Sequence, residues 1–226
     1  EGDYIDIKWT VTNNGQAKAD GAWTDTVYMR KVGQPNDPGI YLGTFSYDAG
    51  GLDAGKYYTR TERFKLPART EGVYQAVVVT NPSATVYEYG AAATNNTAAD
   101  DQVLQVALLP RSDLQVGIVT APARASAGST VSLRFAIINQ GTVPTSTPHW
   151  RDNVYLSIDN KLTGDDLLIG SYENGAALNP GELYATDTAS MQIPIRYRGD
   201  VFLIVQADGS GSVDEYPNDA NNISAV

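Results

Sequence analysis

Three aspartates and an asparagine crowd into one short stretch of the sequence. They are Asp159, Asn160, Asp165 and Asp166, inside WRDNVYLSIDNKLTGDDLLIG at 150–170. Calcium takes about six to eight oxygen ligands, which a flexible loop of carboxylates and carbonyls can supply. The spacing departs from that of an EF-hand loop. A polar hairpin turn would also favour Asp and Gly, for their turn geometry. An upstream echo, WTDTVYMRKVGQPNDPGIYLG at 23–43, offers Gln34, Asn36 and Asp37 instead. A Ca2+ site here would therefore belong to the downstream half alone.

A second polar set occurs twice: Asp25, Glu88, Asn95 and Asn96, then Asp152, Glu215, Asn221 and Asn222. Such groups near strand ends can share a cation, or they can satisfy backbone N–H donors. Asn pairs commonly fix turns, which favours capping. Trp23 and Trp150 are candidate ligand-binding residues, since an indole can stack on a sugar; the same rings suit a small core. Tyr57 and Tyr58 are neighbours in a strand pattern, so they point to opposite faces and one is expected exposed.

Catalytic chemistry finds little footing. His149 is the only histidine, and Ala22 stands in its place upstream. A Ser-His-Asp triad would have to use it, yet no G-x-S-x-G elbow occurs. One histidine without cysteine cannot build a usual zinc site. Paired carboxylates can cleave glycosides, but here they sit in turns with no evident cleft. The expectation is a non-enzyme with no cofactor, Ca2+ in the acidic loop aside. An intramolecular Lys–Asn cross-link at Lys8 is not supported by the repeat, which has Arg134 there.

The elements that position these residues follow from a duplication. GDYIDIKWTVTNNG (2–15) lies over GSTVSLRFAIINQG (128–141) at an offset of 126 residues, which slips to 127 after the first turn. Ile5, Ile7, Trp9 and Val11 then match Val131, Leu133, Phe135 and Ile137. Both series alternate apolar and polar with period 2, the mark of a strand with one buried face. Val73–Val79 and Val201–Val205 are nearly continuous apolar runs, as in central strands. Asn14-Gly15, Pro38-Gly39, Gly50-Gly51 and Asn179-Pro180-Gly181 punctuate these segments. No long segment has a helical period. The pattern predicts an all-β chain of two tandem immunoglobulin-like (fibronectin type III-like) β-sandwich domains, 1–109 and 110–226.

The two ends break the symmetry. Leu114, Val116 and Ile118 alternate as a first strand of the second domain, and nothing equivalent precedes Gly2. Gln102–Ala107 reads as a last strand of the first domain, and the second copy stops before its counterpart. The chain thus reads as a piece of a longer protein. A first domain without its opening strand is expected to expose an unpaired edge or to borrow a strand. The short linker implies a stiff pair.

Composition agrees with this class. Hydrophobic residues make up 42% and charged residues 19% of the 226, which excludes wholesale disorder. The net charge of −10 repels phosphate backbones, so nucleic-acid binding is not expected. The chain has no cysteine, which removes disulfides and thiolate chemistry together. No apolar run is long enough to cross a membrane.

In its ordered motifs the chain resembles the CARDB family of bacterial and archaeal immunoglobulin-like domains. The second copy carries the fuller pattern: SDLQVGIVTAPARASAGSTVSLRFAIINQG, WRDNVYLSIDNKLTGDDLLIG, LNPGELY and SVDEYPNDANN. The first keeps NNG, WTDTVY, LDAGKYYTRT, LPARTEGVY and VYEYGAAATNN. The resemblance implies a non-catalytic adhesion or spacer module in a large secreted or cell-surface protein. Implied partners are other domains of the parent chain, a cell-surface protein or a polysaccharide. The alternative is a carbohydrate-binding accessory module of a secreted polysaccharide-active protein.

Overall fold

The computed structural model describes residues 1–34 and 36–226, with the backbone alone at 187–189. It divides into two compact units, Glu1–Leu109 and Pro110–Val226. Both are immunoglobulin-like β-sandwiches. Among the described residues there is no α-helix, only two short 3-10 turns, Gly90–Thr94 and Asp219–Asn221.

The first unit runs β1 (Tyr4–Thr12), β2 (Trp23–Lys31), β3 (Ile40–Tyr47), β4 (Tyr57–Lys65), β5 (Gly72–Thr80), β6 (Thr97–Ala99) and β7 (Leu104–Val106). One sheet is β1–β4 alone, paired without interruption from Tyr4↔Lys65 to Thr12↔Tyr57. The other orders β3-β2-β5, with β6 and β7 sharing the far edge of β5. β5 is central because its run of valines has partners on both edges, which suits near-continuous apolar sequence.

The second unit runs β8 (Leu114–Thr120), β9 (Thr130–Asn139), β10 (Trp150–Ser157), β11 (Leu167–Asn174), β12 (Leu183–Gln192), β13 (Phe202–Gln206) and β14 (Ile223–Ala225). Its sheets order β12-β9-β8 and β11-β10-β13-β14. Both units place a bulge at the same point, Val27/Tyr28 and Val154/Tyr155. The repeated glycine opposite each bulge lies under an aromatic ring. A Cβ at Gly43 would stand 3.0 Å from the Phe45 ring, and one at Gly170 would stand 2.9 Å from Tyr172.

The alternation seen in β1 and β9 fills the cores, though unequally. In the second unit Leu133, Phe135 and Ile137 are wholly buried in one continuous cluster with Leu114, Trp150 and Val154. The first unit has two smaller clusters, one around Trp9, Val27 and Phe64, the other around Met29, Leu66 and Tyr74. On β1 itself, Ile5, Ile7 and Val11 are only half-buried. The cause is topological. β9 is covered on both edges, whereas β1 has β4 on one edge and, among the described residues, no strand on the other.

Candidate functional site

The repeated polar residues form a clamp inside each sandwich. Asp25, on β2, is 1% exposed. Its Oδ2 accepts the indole N–H of Trp9 at 2.7 Å and the Tyr58 hydroxyl at 2.7 Å. Its Oδ1 accepts the Thr80 hydroxyl at 2.6 Å. One carboxylate thus ties β1, β4 and β5 to β2. Burial, and then the adjacent Asp25 carboxylate, raises the Tyr58 phenol well above its ordinary range.

Asp152 repeats the position on β10 with altered partners. The Tyr184 hydroxyl donates to its Oδ2, and the backbone N–H of Asp208 donates to Oδ1 at 3.1 Å. Ala207 occupies the place of Thr80, so a backbone donor replaces the lost hydroxyl. Burial pushes the Asp152 carboxyl up to about 6, against the lowering effect of its hydrogen bonds. Burial, with Asp152 beside it, also raises the Tyr184 phenol far above its usual range.

Glu88 and Glu215 fix the approach to the last strands. Asn96 Nδ2 donates to Glu88 Oε2, and Asn222 Nδ2 donates to Glu215 Oε2. Glu215 is 2% exposed, and its Oε1 accepts the backbone N–H of Leu114. Burial, reinforced by Asp208 and Asp113, lifts its carboxyl to about 7, although the bonds from Leu114 and Asn222 act the other way. Asn222 Oδ1 is buried with no hydrogen-bond partner. Asn221 Nδ2 donates to Asp113 at 3.0 Å, whereas Asn95 closes the 3-10 turn Gly90–Thr94. Three of the four repeated positions therefore bind the scaffold in both units, and the fourth does so through Asn221 in the second.

The acidic loop turns its carboxylates on its own backbone. Asp159 Oδ1 accepts the Lys161 N–H at 2.8 Å, and Asp166 Oδ2 accepts the Thr163 N–H at 2.7 Å. The Thr163 hydroxyl donates to Asp165 and holds that carboxyl below the usual range. Asn160 is exposed beside them. In the upstream loop Asp37 does similar work, accepting the N–H groups of Lys31 and Gly39, which lowers its pKa. Among the described residues no group of three or more His, Cys, Asp or Glu side chains is placed to hold a metal ion.

The tryptophans require a correction. Trp23 is 6% and Trp150 2% exposed, so neither ring can form an open stacking platform. Trp23 packs on Tyr47 with centroids 4.5 Å apart and donates its N–H to Tyr58. These indoles sit beneath the sheets because each begins a strand whose inward face they share. Among the described residues the exposed aromatics lie elsewhere, at Tyr4, Tyr41, Tyr57, Tyr87 and Tyr89. His149 is exposed, and its backbone N–H and C=O bond to the Thr147 hydroxyl.

Sequence reasoning missed two members of the clamp. Tyr58 and Tyr184 were legible only as strand residues, although both recur opposite an aspartate. Asn81 and Asp208 were not singled out at all. Both adopt a left-handed φ, +49° and +42°. Asn81 Oδ1 accepts the Val86 N–H at 3.2 Å, and Asp208 Oδ2 accepts the Val213 N–H at 2.7 Å. An Asn or Asp closing a valine-rich strand was the available signal, since these residues tolerate that backbone region best after glycine.

With the geometry in view, the comparisons are informative for one half. The CARDB family model matches residues 111–226. The chain belongs to the CARDB family. CARDB domains are bacterial, adhesion-related and immunoglobulin-like. The family match does not extend to residues 1–110. No curated protein matches the chain. Among solved structures it is similar to red sea bream transglutaminase, at 13% identity and a TM-score of 0.33, over 100% of this chain and 29% of that one. It is also similar to the class 5 fimbriae chaperone CfaA, at 10% identity and a TM-score of 0.22, over 100% of this chain and 92% of that one. A third is CBD12 from CALX1.2, at 13% identity and a TM-score of 0.22, over 89% and 72%. The CARDB chain thus spans under a third of the transglutaminase. At these TM-scores none of the three bears on function.

Proposed function

We propose that this CARDB chain is a structural and adhesive module, a tandem spacer within a larger protein at the cell surface or outside the cell. In this reading residues 1–109 are a second CARDB-type domain, degenerate enough to escape the family match while keeping the internal clamp. The observation that carries it is the double use of one device. The groups best suited to chemistry, Asp25 and Asp152, are buried and spend their hydrogen bonds across strands, among them those from the half-buried Tyr58 and Tyr184. A chain that repeats such a clamp is built for shape held twice over. Weak contacts to a surface protein or polysaccharide would come from exposed loops, where Tyr87 and Tyr89 stand 84% and 83% exposed.

The test is location. Antibody against residues 111–226 should label intact, unpermeabilised cells of the source organism, or its culture medium. External protease should remove the cell-bound signal. A signal that appears only after lysis would end this reading.

A further inference from the structure

The outer face of the β3-β2-β5 sheet carries a row of side chains that the fold does not require. On β2, Asp25, Val27 and Met29 point inward, so Tyr28 and Arg30 point outward. Tyr28 stands opposite Tyr41 of β3 and Val77 of β5, and Arg30 stands opposite Gln75. Val77 is buried yet belongs to neither core cluster of the first unit, so it lies beneath this outer layer. Tyr28 and Tyr41 meet edge to face with centroids 6.0 Å apart, and the Arg30 guanidinium lies over the Tyr28 ring at 5.7 Å. Tyr41 is 58% exposed.

Arg30 is held in place without a counter-charge. A Cβ on Gly39 would stand 2.7 Å from the Arg30 Cγ, and Gly39 has a left-handed φ of +80°, so this turn leaves room for the arginine stem. Arg30 Nε is buried with no hydrogen-bond partner. Arg60, Arg63, Arg111 and Arg151 each reach a carboxylate, at 2.7 to 3.9 Å. Among the described residues neither the guanidinium of Arg30 nor the ammonium of Lys31 does so. Asp37 feels both charges, but its two oxygens accept the backbone N–H groups of Lys31 and Gly39. In a chain of net charge −10, two cations left over on one face run against the average. A cleft of about 290 Å³ opens there, lined by Arg30, Lys31, Gln75 and Val77.

The second unit is the internal control. Arg30, Lys31, Tyr41 and Gln75 correspond to Ser157, Ile158, Leu168 and Phe202. Tyr155 keeps the place of Tyr28, but its hydroxyl donates to Gln206 at 3.3 Å and accepts from Asn153 at 3.2 Å. The Tyr28 hydroxyl makes no hydrogen bond among the described residues. The same scaffold thus closes without the row.

We propose that this face of the first unit binds a hexuronate residue of an acidic polysaccharide, its carboxylate on Arg30 and its pyranose ring against Tyr41. Arg30 and Tyr41 are diagonal neighbours across β2 and β3, about 7–8 Å apart, a separation that a pyranose with its C5 carboxylate bridges. The guanidinium offers paired N–H donors to a carboxylate, and Lys31 adds a second positive charge at the cleft. A saccharide fits better than a peptide, because every group offered is a side chain on a sheet face. Both edges of β5 are already paired, so a peptide main chain finds no ladder there. The site deepens the adhesive reading and rests on it for access to such a polymer. Surface labelling without uronate binding would sink the site and leave that reading standing.

The test titrates the isotope-labelled 226-residue chain with a short oligogalacturonate and, separately, a short oligomannuronate, in EDTA at constant ionic strength. Amide shifts at Arg30, Gly39, Tyr41 and Gln75 should fit one Kd of about 1 mM for at least one of the two. Its fully methyl-esterified form keeps the rings and loses the charges, and should bind at least about tenfold more weakly. Arg30→Gln should weaken binding about tenfold. Tyr41→Ala should weaken it about fivefold, and Tyr41→Phe should retain it. Thermal melts of the first unit check that each variant folds; should one unfold, the ester comparison on the unaltered chain decides. No shift with either oligomer, equal binding of the ester, or unchanged binding by Arg30→Gln would overturn the proposal. So would equal binding of poly-glutamate, which makes the ligand an acidic peptide, or shifts confined to Tyr87 and Tyr89, which move the contact to the loops.

Discussion

Replacing Glu215 by Gln should stabilise the second unit at pH 8 and do nothing for it at pH 4. The Glu215 carboxyl is 2% exposed, with Asp208 and Asp113 near it, and is lifted to about 7 from 4.5. A raised carboxyl means that the folded unit holds a proton which the unfolded chain releases. Its contribution to stability is therefore complete below about 4.5 and is lost as pH rises through about 7. At pH 8 the ionised group costs the folded state about 3 kcal/mol. The amide keeps an oxygen for the Leu114 N–H. Asn222, whose buried Oδ1 has no partner, can flip to accept the new N–H. For a domain of this size 1 kcal/mol moves Tm by about 4 °C, so the second transition should rise by up to about 12 °C at pH 8. Scanning calorimetry at both pH values reads it, with the first unit as internal reference. Equal destabilisation at pH 4 and pH 8 would refute the reasoning, because Glu215 would then act as a needed anion.

Asp25→Ala should destabilise the first unit by about 3 kcal/mol in urea titration, because the buried Trp9 N–H and the Tyr58 and Thr80 hydroxyls lose one acceptor. A loss below about 0.5 kcal/mol would mean that water replaces the clamp. Excess EDTA or millimolar Ca2+ should leave both transitions unmoved, since the acids at 159–166 serve their own turn; a Ca2+-dependent rise in Tm would restore the calcium reading. Gly141→Ala should cost the second unit about 2 kcal/mol or more by pressing on the β8 lead-in, and Gly15→Ala almost nothing. Equal effects of the two substitutions in thermal melts would contradict the contrast drawn between β1 and β9.

Much of the architecture was legible because duplication makes signal and chance separable. Ile5, Ile7, Trp9 and Val11 alternate weakly alone, and their match to Val131, Leu133, Phe135 and Ile137 makes a strand of them. The matching Gly15 and Gly141 were visible, but the reason for Gly141 lay in the lead-in to β8, whose Arg111 carbonyl oxygen would stand 2.4 Å from an added Cβ, which no local pattern encodes. Asp25 and Asp152 stood out as repeated polar residues. That each would bond a tyrosine from β4 or β12 depends on pairing across the sandwich, 33 and 32 residues away in sequence. Of the three strands with only three residues each, β6 and β14 leave no periodicity to read, while β7 lies within the segment Gln102–Ala107 read as a strand. The tryptophans were ambiguous by nature, since a ring at the start of a strand suits either a core or a surface.

The account rests on two sandwiches clamped to keep their shape in a spacer. Single-molecule stretching of the chain between its ends tests that most directly. The account predicts two separate all-or-none unfolding events for Glu1–Leu109 and Pro110–Val226, each releasing about 35 nm of chain. Smooth extension at low force, with no discrete events, would contradict it.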